Sequence, residues 1–135
     1  MKNILVVDDN ESFRCALAEW ISISFEDWRI LTAENGKKAL EILNSVQVDF
    51  ILTDMKMPVM DGYELLAYTM KNYPQILAMA MTGNFTSEAK RRLHALGVTN
   101  CAEKPFSFKM INDTIRDAFA LRANTSAFCS HKDIV

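Results

Sequence analysis

Short apolar runs alternate with amphipathic stretches along the chain. Five runs of mainly apolar residues, at 3–7, 28–33, 50–52, 76–81 and 98–102, lead into polar or turn-forming residues. Runs of this length, bounded by turn signals, are typical of buried parallel strands. The pattern therefore predicts five strands in this order.

Each predicted strand is followed by a segment with apolar residues at helical spacing. Residues able to cap or start a helix precede these segments, namely Asn10 or Ser12, Asn35-Gly36, Asp61-Gly62, Thr86 or Ser87, and Ser107. Pro74 is expected to stop the third helix, and Gly97 to follow the last turn of the fourth. Five strands alternating with five helices predict an α/β fold, in which a parallel sheet is flanked by helices on both faces and joined by right-handed crossovers.

Length and charge limit the number of domains and the kinds of partner that the chain can have. The chain has 135 residues, 50% of them apolar, which suits one domain with a sizeable core. We assign residues 1–122 to this domain and predict a short, flexible C-terminal tail over 123–135, where the helical pattern stops. The net charge of −2 gives no electrostatic basis for direct binding to nucleic acid or an anionic membrane. Neither a membrane span nor a signal peptide is evident, so we expect a cytoplasmic protein.

Polar side chains with complementary chemistry follow four of the predicted strands. Asp8 and Asp9 follow the first strand, Asp54 the third, Thr82 the fourth and Lys104 the fifth. The carboxyl ends of parallel strands share one edge of the sheet, and ligands of open α/β sheets bind there. We therefore expect these five side chains to lie together.

The chemistry of this predicted cluster indicates a metal ion and an anion. Clustered carboxylates repel one another unless a cation or protons compensate them. Mg²⁺ is the natural candidate because it takes oxygen ligands, binds few carboxylates and keeps several waters. An aspartate nucleophile, a metal ion and a lysine together suit phosphoryl transfer, in which positioning and charge neutralisation supply most of the catalysis.

From residue 3 to about residue 121 the chain resembles the receiver domain of response regulators in two-component phosphorelay systems. The resemblance is carried by Asp8-Asp9, by Asp54 with MPVMDG behind it, by Thr82-Gly83 and by Lys104-Pro105-Phe106. It implies a flavodoxin-like, doubly wound (βα)5 fold, as in chemotaxis receivers. It also implies a signalling module rather than an enzyme, which assists its own phosphorylation and dephosphorylation and switches a binding surface for a downstream protein.

The same resemblance implies a role for each site residue. Asp54 accepts a phosphoryl group from a sensor histidine kinase or a histidine phosphotransfer protein. Asp9, Asp54 and the backbone carbonyl of Lys56 bind Mg²⁺ directly, and Asp8 acts largely through water. Thr82 and Lys104 hold the phosphoryl oxygens, and the Lys104–Pro105 peptide bond is expected to be cis.

The sequence departs from the family pattern at three positions. Cys101 stands where the fifth strand usually carries Tyr or Phe, whose ring swings inward when the threonine moves toward the phosphoryl group. We therefore expect phosphorylation to be coupled only weakly to the surface of the fourth helix and fifth strand, or to act through Phe85 and its loop. Lys56, two residues beyond the phosphoacceptor, either reaches the phosphoryl oxygens or lies in solvent, and Glu103 stands where apolar residues are common.

Three other functions fit part of the pattern. A Mg²⁺-dependent aspartyl-nucleophile phosphatase would use similar side chains, but its general-acid aspartate is replaced here by Lys56. A flavin mononucleotide carrier would need a hydroxyl-rich phosphate loop after the first strand, whereas residues 8–11 are Asp-Asp-Asn-Glu. An interaction module that is never phosphorylated would not need all five polar residues.

Overall fold

The aliphatic runs of the sequence form the strands of one sheet, and the amphipathic segments between them form helices. The computed structural model describes the backbone of residues 1–134 and the side chains of residues 1–122. The elements in chain order are β1 (Asn3–Val7), α1 (Glu11–Ser24), β2 (Arg29–Ala33), α2 (Gly36–Ser45), β3 (Phe50–Asp54), α3 (Gly62–Asn72), β4 (Leu77–Thr82), α4 (Ser87–Ala95), β5 (Asn100–Glu103) and α5 (Phe108–Ile134).

All five strands are parallel and lie in the order β2-β1-β3-β4-β5. Every residue of β3 is buried, whereas the edge strands β2 and β5 are partly exposed. This difference follows from helices that cover both faces of the central strands, so their sequences are apolar throughout rather than alternating. The predicted α/β fold is confirmed.

Two apolar cores lie on opposite faces of the sheet. Alternate residues of β1 and β3 enter different cores, because successive side chains of a strand point to opposite faces. Ile4 and Leu52 join the core formed with α1 and α5, which includes Leu17, Ile111 and Ile115. Leu5 and Ile51 join the core formed with α2, α3 and α4, which includes Leu43, Leu65 and Leu93.

Side-chain caps fix where all five helices begin. The side chains of Asn10, Asn35, Asp61, Thr86 and Ser107 each accept a hydrogen bond from the backbone N–H three residues ahead. These interactions satisfy donors that have no partner within the helix. Four of the five caps (all but Asn35) lie in loops that border the predicted site, so they also position its backbone.

The end of α4 explains why β5 begins at Asn100, although the apolar run in the sequence begins at Val98. Gly97 has a φ of +87° and donates its N–H to the carbonyl of His94, while Val98 donates to the carbonyl of Leu93. This pair of bonds is a Schellman motif, which needs a left-handed residue and favours glycine. Val98 therefore still belongs to the helix terminus, and the strand begins at Asn100.

Two expectations concern the remainder of the chain. Among the residues that the structure describes, no helix combines the length and apolar character that crossing a membrane requires. The backbone of α5 continues as a helix through residues 123–134, where the sequence pattern predicted that the helix stops, while the expected flexibility of this tail stays a prediction.

Candidate functional site

The carboxyl-terminal edge of the sheet brings together the polar residues singled out in the sequence. Asp8 and Asp9 follow β1, Asp54 ends β3, Thr82 ends β4, and Lys104 follows β5. Asp8, Asp9 and Asp54 each offer a carboxylate oxygen, and these oxygens lie within 4.8 Å of one another. Asp8 and Asp54 are buried but Asp9 is exposed, so the acidic cluster is open to solvent at Asp9.

The donor set of this acidic cluster fits a hard divalent cation. Three carboxylates within 4.8 Å repel one another, and two of them have lost most of their contact with water. The ammonium of Lys104 compensates only part of that charge. Oxygen ligands at an open site are the environment in which Mg²⁺ binds with several waters retained.

The carboxylate of Asp54 is held on one side by the backbone. Its Oδ1 accepts a hydrogen bond of 2.9 Å from the N–H of Met55, and its Oδ2 lies 3.6 Å from the Lys104 ammonium. Burial raises the pKa of Asp54, the Lys104 charge lowers it, and the neighbouring carboxylates of Asp8 and Asp9 raise it again. The two contacts fix the orientation of the Asp54 side chain, with Oδ1 toward the N–H of Met55 and Oδ2 toward the Lys104 ammonium.

Lys104 links the carboxylates of Asp8 and Asp54. Its ammonium donates to Oδ2 of Asp8 at 3.1 Å, and Oδ1 of Asp8 accepts from the N–H of Asn10 at 2.9 Å. The guanidinium of Arg14 donates to the backbone carbonyl of Asp8 at 2.9 Å, which ties the start of α1 to the same loop. The Lys104–Pro105 peptide bond is cis.

Thr82 is buried and its hydroxyl belongs to a local turn. The hydroxyl accepts from the N–H of Asn84 at 3.1 Å and donates to the carbonyl of the same residue at 3.3 Å. Both partners lie in the loop between β4 and α4, so any movement of the Thr82 hydroxyl must loosen that loop. Lys56 and Glu103, the other two departures from the family pattern, have exposed side chains.

Cys101 lies half-buried beside a small cavity. The cavity has a volume of about 180 Å³ and is lined by Phe85, Lys90, Leu93, His94, Val98, Thr99 and Cys101. Burial, with a smaller contribution from the charge of Glu103, raises the pKa of the Cys101 thiol to about 11. The position that carries an aromatic ring in the resemblance is therefore a protonated thiol at neutral pH.

We expect the raised pKa to make Cys101 resistant to alkylation. With a pKa of about 11, the thiolate fraction of Cys101 at pH 8 is about 0.1%. Cys15 is exposed and provides an internal control. Iodoacetamide at pH 8, followed by peptide mass spectrometry, should modify Cys15 at least about tenfold faster, and the difference should vanish in urea. Equal rates in the folded protein would contradict the assignment.

A cleft opens between the loop that follows Asp54 and α4. It has a volume of about 670 Å³ and reaches Met55, Thr82 and Leu93. Tyr63 spans from α3 to α4, because its hydroxyl donates to the carbonyl of Ala89 at 3.0 Å and its ring lies 3.8 Å below the guanidinium carbon of Arg92. These contacts tie the first turn of α3 to α4.

Sequence reasoning missed three residues of this region: Phe13, Arg14 and Tyr63. Each lies near a helix start and carries a side chain that reads as ordinary helix packing. Arg14 contacts a backbone carbonyl of the preceding loop, Tyr63 contacts a backbone carbonyl of α4, and Phe13 contacts the ammonium of Lys104. Spacing within one helix carries no information about such contacts, so only their nearness to the strand-end motifs could have drawn attention to them.

Comparisons with known proteins agree with this geometry. Residues 4–116 match the family model described as the response regulator receiver domain. The sensor histidine kinase RcsC of Escherichia coli is 33% identical over 112 residues, which are 83% of this chain but 12% of that protein. Sporulation initiation phosphotransferase F of Bacillus subtilis is 31% identical over 123 residues, covering 91% of this chain and 98% of that protein.

A solved structure supports the same assignment. The signal receiver domain of a DNA-binding response regulator from Colwellia psychrerythraea superposes with a TM-score of 0.82 at 28% identity, covering 89% of this chain and 99% of that one. This chain belongs to the response regulator receiver domain family, the phosphoacceptor signalling modules of two-component systems.

Proposed function

We propose that Asp54 is the phosphoacceptor of this receiver domain. The observation that carries the proposal is the position of its carboxylate, between a backbone donor on Oδ1 and the Lys104 ammonium near Oδ2. An oxygen nucleophile in this position is oriented, and the developing negative charge has a cation beside it. Asp8 has a comparable pair of contacts, with the N–H of Asn10 and the Lys104 ammonium, but its side chain is 1% exposed against 11% for Asp54, so Asp54 is the more accessible nucleophile. No such pair of contacts is found for Asp9 in the described part of the chain.

The proposed reaction is phosphoryl transfer from a phosphohistidine. Oδ2 of Asp54 forms a bond to phosphorus while the phosphorus–nitrogen bond breaks, and the imidazole nitrogen keeps the electron pair and takes a proton. The phosphoryl oxygens gain negative charge that Lys104 and the Thr82 hydroxyl are placed to bind. To bind the phosphoryl group, the Thr82 hydroxyl would have to break its hydrogen bonds with Asn84. We therefore expect the β4–α4 loop to move on phosphorylation.

We propose Mg²⁺ as the resident ion of the acidic cluster, held by Asp9, Asp54 and the backbone carbonyl of Lys56, with Asp8 acting through water. When bound, the ion neutralises charge on the phosphoryl oxygens. The protein residues supply the remaining features: Met55 orients the nucleophile and Lys104 binds the anion. The chain keeps the transferred phosphoryl group as an acyl phosphate until water removes it, so we propose a phosphoacceptor that assists its own phosphorylation and dephosphorylation rather than an enzyme.

The phosphodonor is proposed to be a sensor histidine kinase or a histidine phosphotransfer protein. The similarity to a sensor histidine kinase and to a sporulation phosphotransferase supports a partner of this class. A cytoplasmic location and a downstream protein target belong to the same proposal. The chain spans 12% of the first of these relatives, so nothing of that protein's other activities is carried over.

Mass spectrometry tests this function directly. The protein is incubated with a small phosphoramidate, with either Mg²⁺ or EDTA, and its intact mass is measured. We expect one added phosphoryl group with Mg²⁺, none with EDTA, and a label that hydroxylamine removes, as an acyl phosphate requires. An acid-stable label on a hydroxyl residue, or continuous release of phosphate without a labelled intermediate, would instead favour another function.

We expect Asp9→Ala to weaken Mg²⁺ binding the most among variants of the acidic cluster. Removing even outer-shell partners of a metal site typically costs about tenfold or more in affinity, so a direct ligand should cost at least about tenfold. Calorimetric or fluorescence titration with Mg²⁺ measures the change. Because Mg²⁺ binds the folded state, the ion should also raise the melting temperature of the wild type.

Glu11→Ala is the matched control for this titration. Glu11 is an exposed carboxylate in the first turn of α1, so its removal changes the net charge equally without removing a proposed ligand. The Mg²⁺ affinity of this variant should stay within about twofold of the wild type, because the charge of an exposed side chain is screened by salt. An equal loss in both variants would remove Asp9 from the ligand set.

A further inference from the structure

An aromatic ring lies against the lysine of the site. The ammonium of Lys104 lies 4.6 Å from the centroid of the Phe13 ring. The same ammonium is 3.1 Å from Asp8 and 3.6 Å from Asp54. The Lys104 side chain is 29% exposed, so carboxylates and a ring together leave it a limited opening to solvent.

Phe13 is itself fixed from two directions. Its backbone N–H donates to the side chain of Asn10 at 3.0 Å, and the N–H of Asn10 donates to Asp8, so one short loop sets both Asp8 and Phe13. The rings of Phe106 and Phe108 meet the Phe13 ring with centroids 5.9 Å apart and planes at 71°. Edge-to-face pairs of this kind favour one ring orientation.

We propose that Phe13 is a positioning residue for Lys104. A lysine side chain is flexible and strongly hydrated, so its ammonium samples solvent unless several contacts restrain it. The face of an aromatic ring attracts a cation without neutralising its charge, and the attraction strengthens as water is excluded. Phe13 therefore holds the ammonium beside Oδ2 of Asp54 and leaves its positive charge available to an incoming anion.

The consequence for phosphoryl transfer follows from the geometry, and it rests on the proposed role of Lys104 as a phosphoryl ligand. As the phosphorus–nitrogen bond breaks and the bond to Oδ2 of Asp54 forms, Lys104 must exchange its carboxylate contacts for phosphoryl oxygens. The contact with the Phe13 ring uses none of the hydrogen-bond donors of the Lys104 ammonium, so it persists while those donors change partners. Without the ring, the ammonium must be recovered from solvent in each event, and the reaction slows.

Nuclear magnetic resonance tests the contact in the wild type without any phosphorylation. The ring current of Phe13 should move the ε-methylene protons of Lys104 upfield of those of Lys109, whose ammonium lies in an exposed pair with Asp113. This displacement should disappear in Phe13→Leu and persist in Phe13→Tyr. Unshifted Lys104 protons in the wild type would overturn the proposal, whatever the variants do.

Kinetics test the consequence. At saturating Mg²⁺ the labelling rate with a small phosphoramidate should fall about threefold to tenfold in Phe13→Leu, a size typical of losing one partly desolvated cation–π contact, and Phe13→Tyr should restore it. Trp20→Leu is the control, because Trp20 lies on the same helix and contacts Phe108 rather than Lys104. Melting temperatures of all variants separate a loss of folding from a loss of positioning.

Two kinetic outcomes would reject the positioning role. One is a wild-type rate in Phe13→Leu, and the other is an equal slowing in Trp20→Leu. Neither outcome bears on Asp54 as the phosphoacceptor, since the label would still appear there. If Phe13→Leu fails to fold, Phe13→Met supplies a second ring-free side chain of similar volume for the same measurement.

Discussion

Asp54→Asn should abolish phosphorylation completely, with no added mass after prolonged incubation with a phosphoramidate and Mg²⁺. The substitution keeps the size of the side chain and an oxygen that can accept from the N–H of Met55. It replaces the charged oxygen near Lys104 by an amide group, which is not a nucleophile. The effect is therefore a loss of chemistry rather than a loss of structure, and intact-mass measurement reports it directly.

Asp61→Asn is the matched control for this experiment. Asp61 lies in the same loop, and its carboxylate accepts from the N–H of Glu64 as the cap of α3. Asparagine caps a helix about as well as aspartate, so this variant should stay folded and should be labelled as fully as the wild type. Labelling of Asp54→Asn equal to that of the wild type would refute the assignment of the phosphoacceptor.

The pH dependence of the free energy of unfolding provides a second test of the Asp54→Asn variant. The pKa of Asp54 is raised in the folded protein, chiefly by burial. A carboxyl group with a raised folded-state pKa stabilises the fold most below its unfolded pKa, and loses this contribution as the pH rises through the folded pKa. Without metal, Asp54→Asn should therefore gain stability relative to the wild type from about pH 4 toward neutrality. Urea unfolding in EDTA at several pH values measures the difference, and Mg²⁺ should reduce it.

Gly62→Ala should destabilise the protein by about 2–3 kcal/mol and disturb the site, because the new methyl group has no room. A Cβ at this position would lie 2.5 Å from the carbonyl oxygen of Asp54 and 2.7 Å from the Cα of Met55. Both are backbone atoms, so they cannot give way as a flexible side chain would. The N–H of Gly62 also donates to the carbonyl of Met55 at 2.9 Å, which holds the first turn of α3 against the residue that follows Asp54. Urea unfolding measures the loss of stability, and Mg²⁺ titration measures the disturbance of the site.

Gly83→Ala separates this packing effect from the general effect of replacing glycine. A Cβ at Gly83 would meet no atom within 4 Å, and the backbone there does not have a positive φ. The variant should be neutral or up to about 1 kcal/mol more stable, since alanine restricts the unfolded chain. If both variants unfold at the same urea concentration, close backbone packing is not the reason for glycine at position 62.

The order and type of the elements could be predicted from the sequence because they depend on local patterns. The buried strand Phe50–Asp54 is an apolar run that ends at a carboxylate, and Asn35 and Thr86 mark helix starts by their capping chemistry. The edge of the site was equally predictable, since all parallel strands present their carboxyl ends to the same side. Asp8, Asp54 and Lys104 therefore meet as expected, although they are far apart in the chain.

Contacts between side chains of different elements could not be predicted in this way. The ring of Phe13 against Lys104, the bond from Tyr63 to Ala89 and the cavity beside Cys101 depend on how helices pack on the sheet. Packing distances and side-chain rotamers decide these contacts, and a single sequence does not report them. The turn that engages the Thr82 hydroxyl with Asn84 belongs to the same group, because it depends on the loop conformation.

The sequence by itself determined the strand and helix pattern, the acidic residues at the strand ends and the residue types suited to phosphoryl transfer. These features follow from periodicity, capping and the geometry of parallel sheets, all of which are local or topological. The tertiary structure alone decided which oxygen of Asp54 faces Lys104, how closely Gly62 approaches the Asp54 backbone, and which ring lies against the ammonium. These features are distances between elements that the chain brings together only on folding, and close packing of the two cores fixes them.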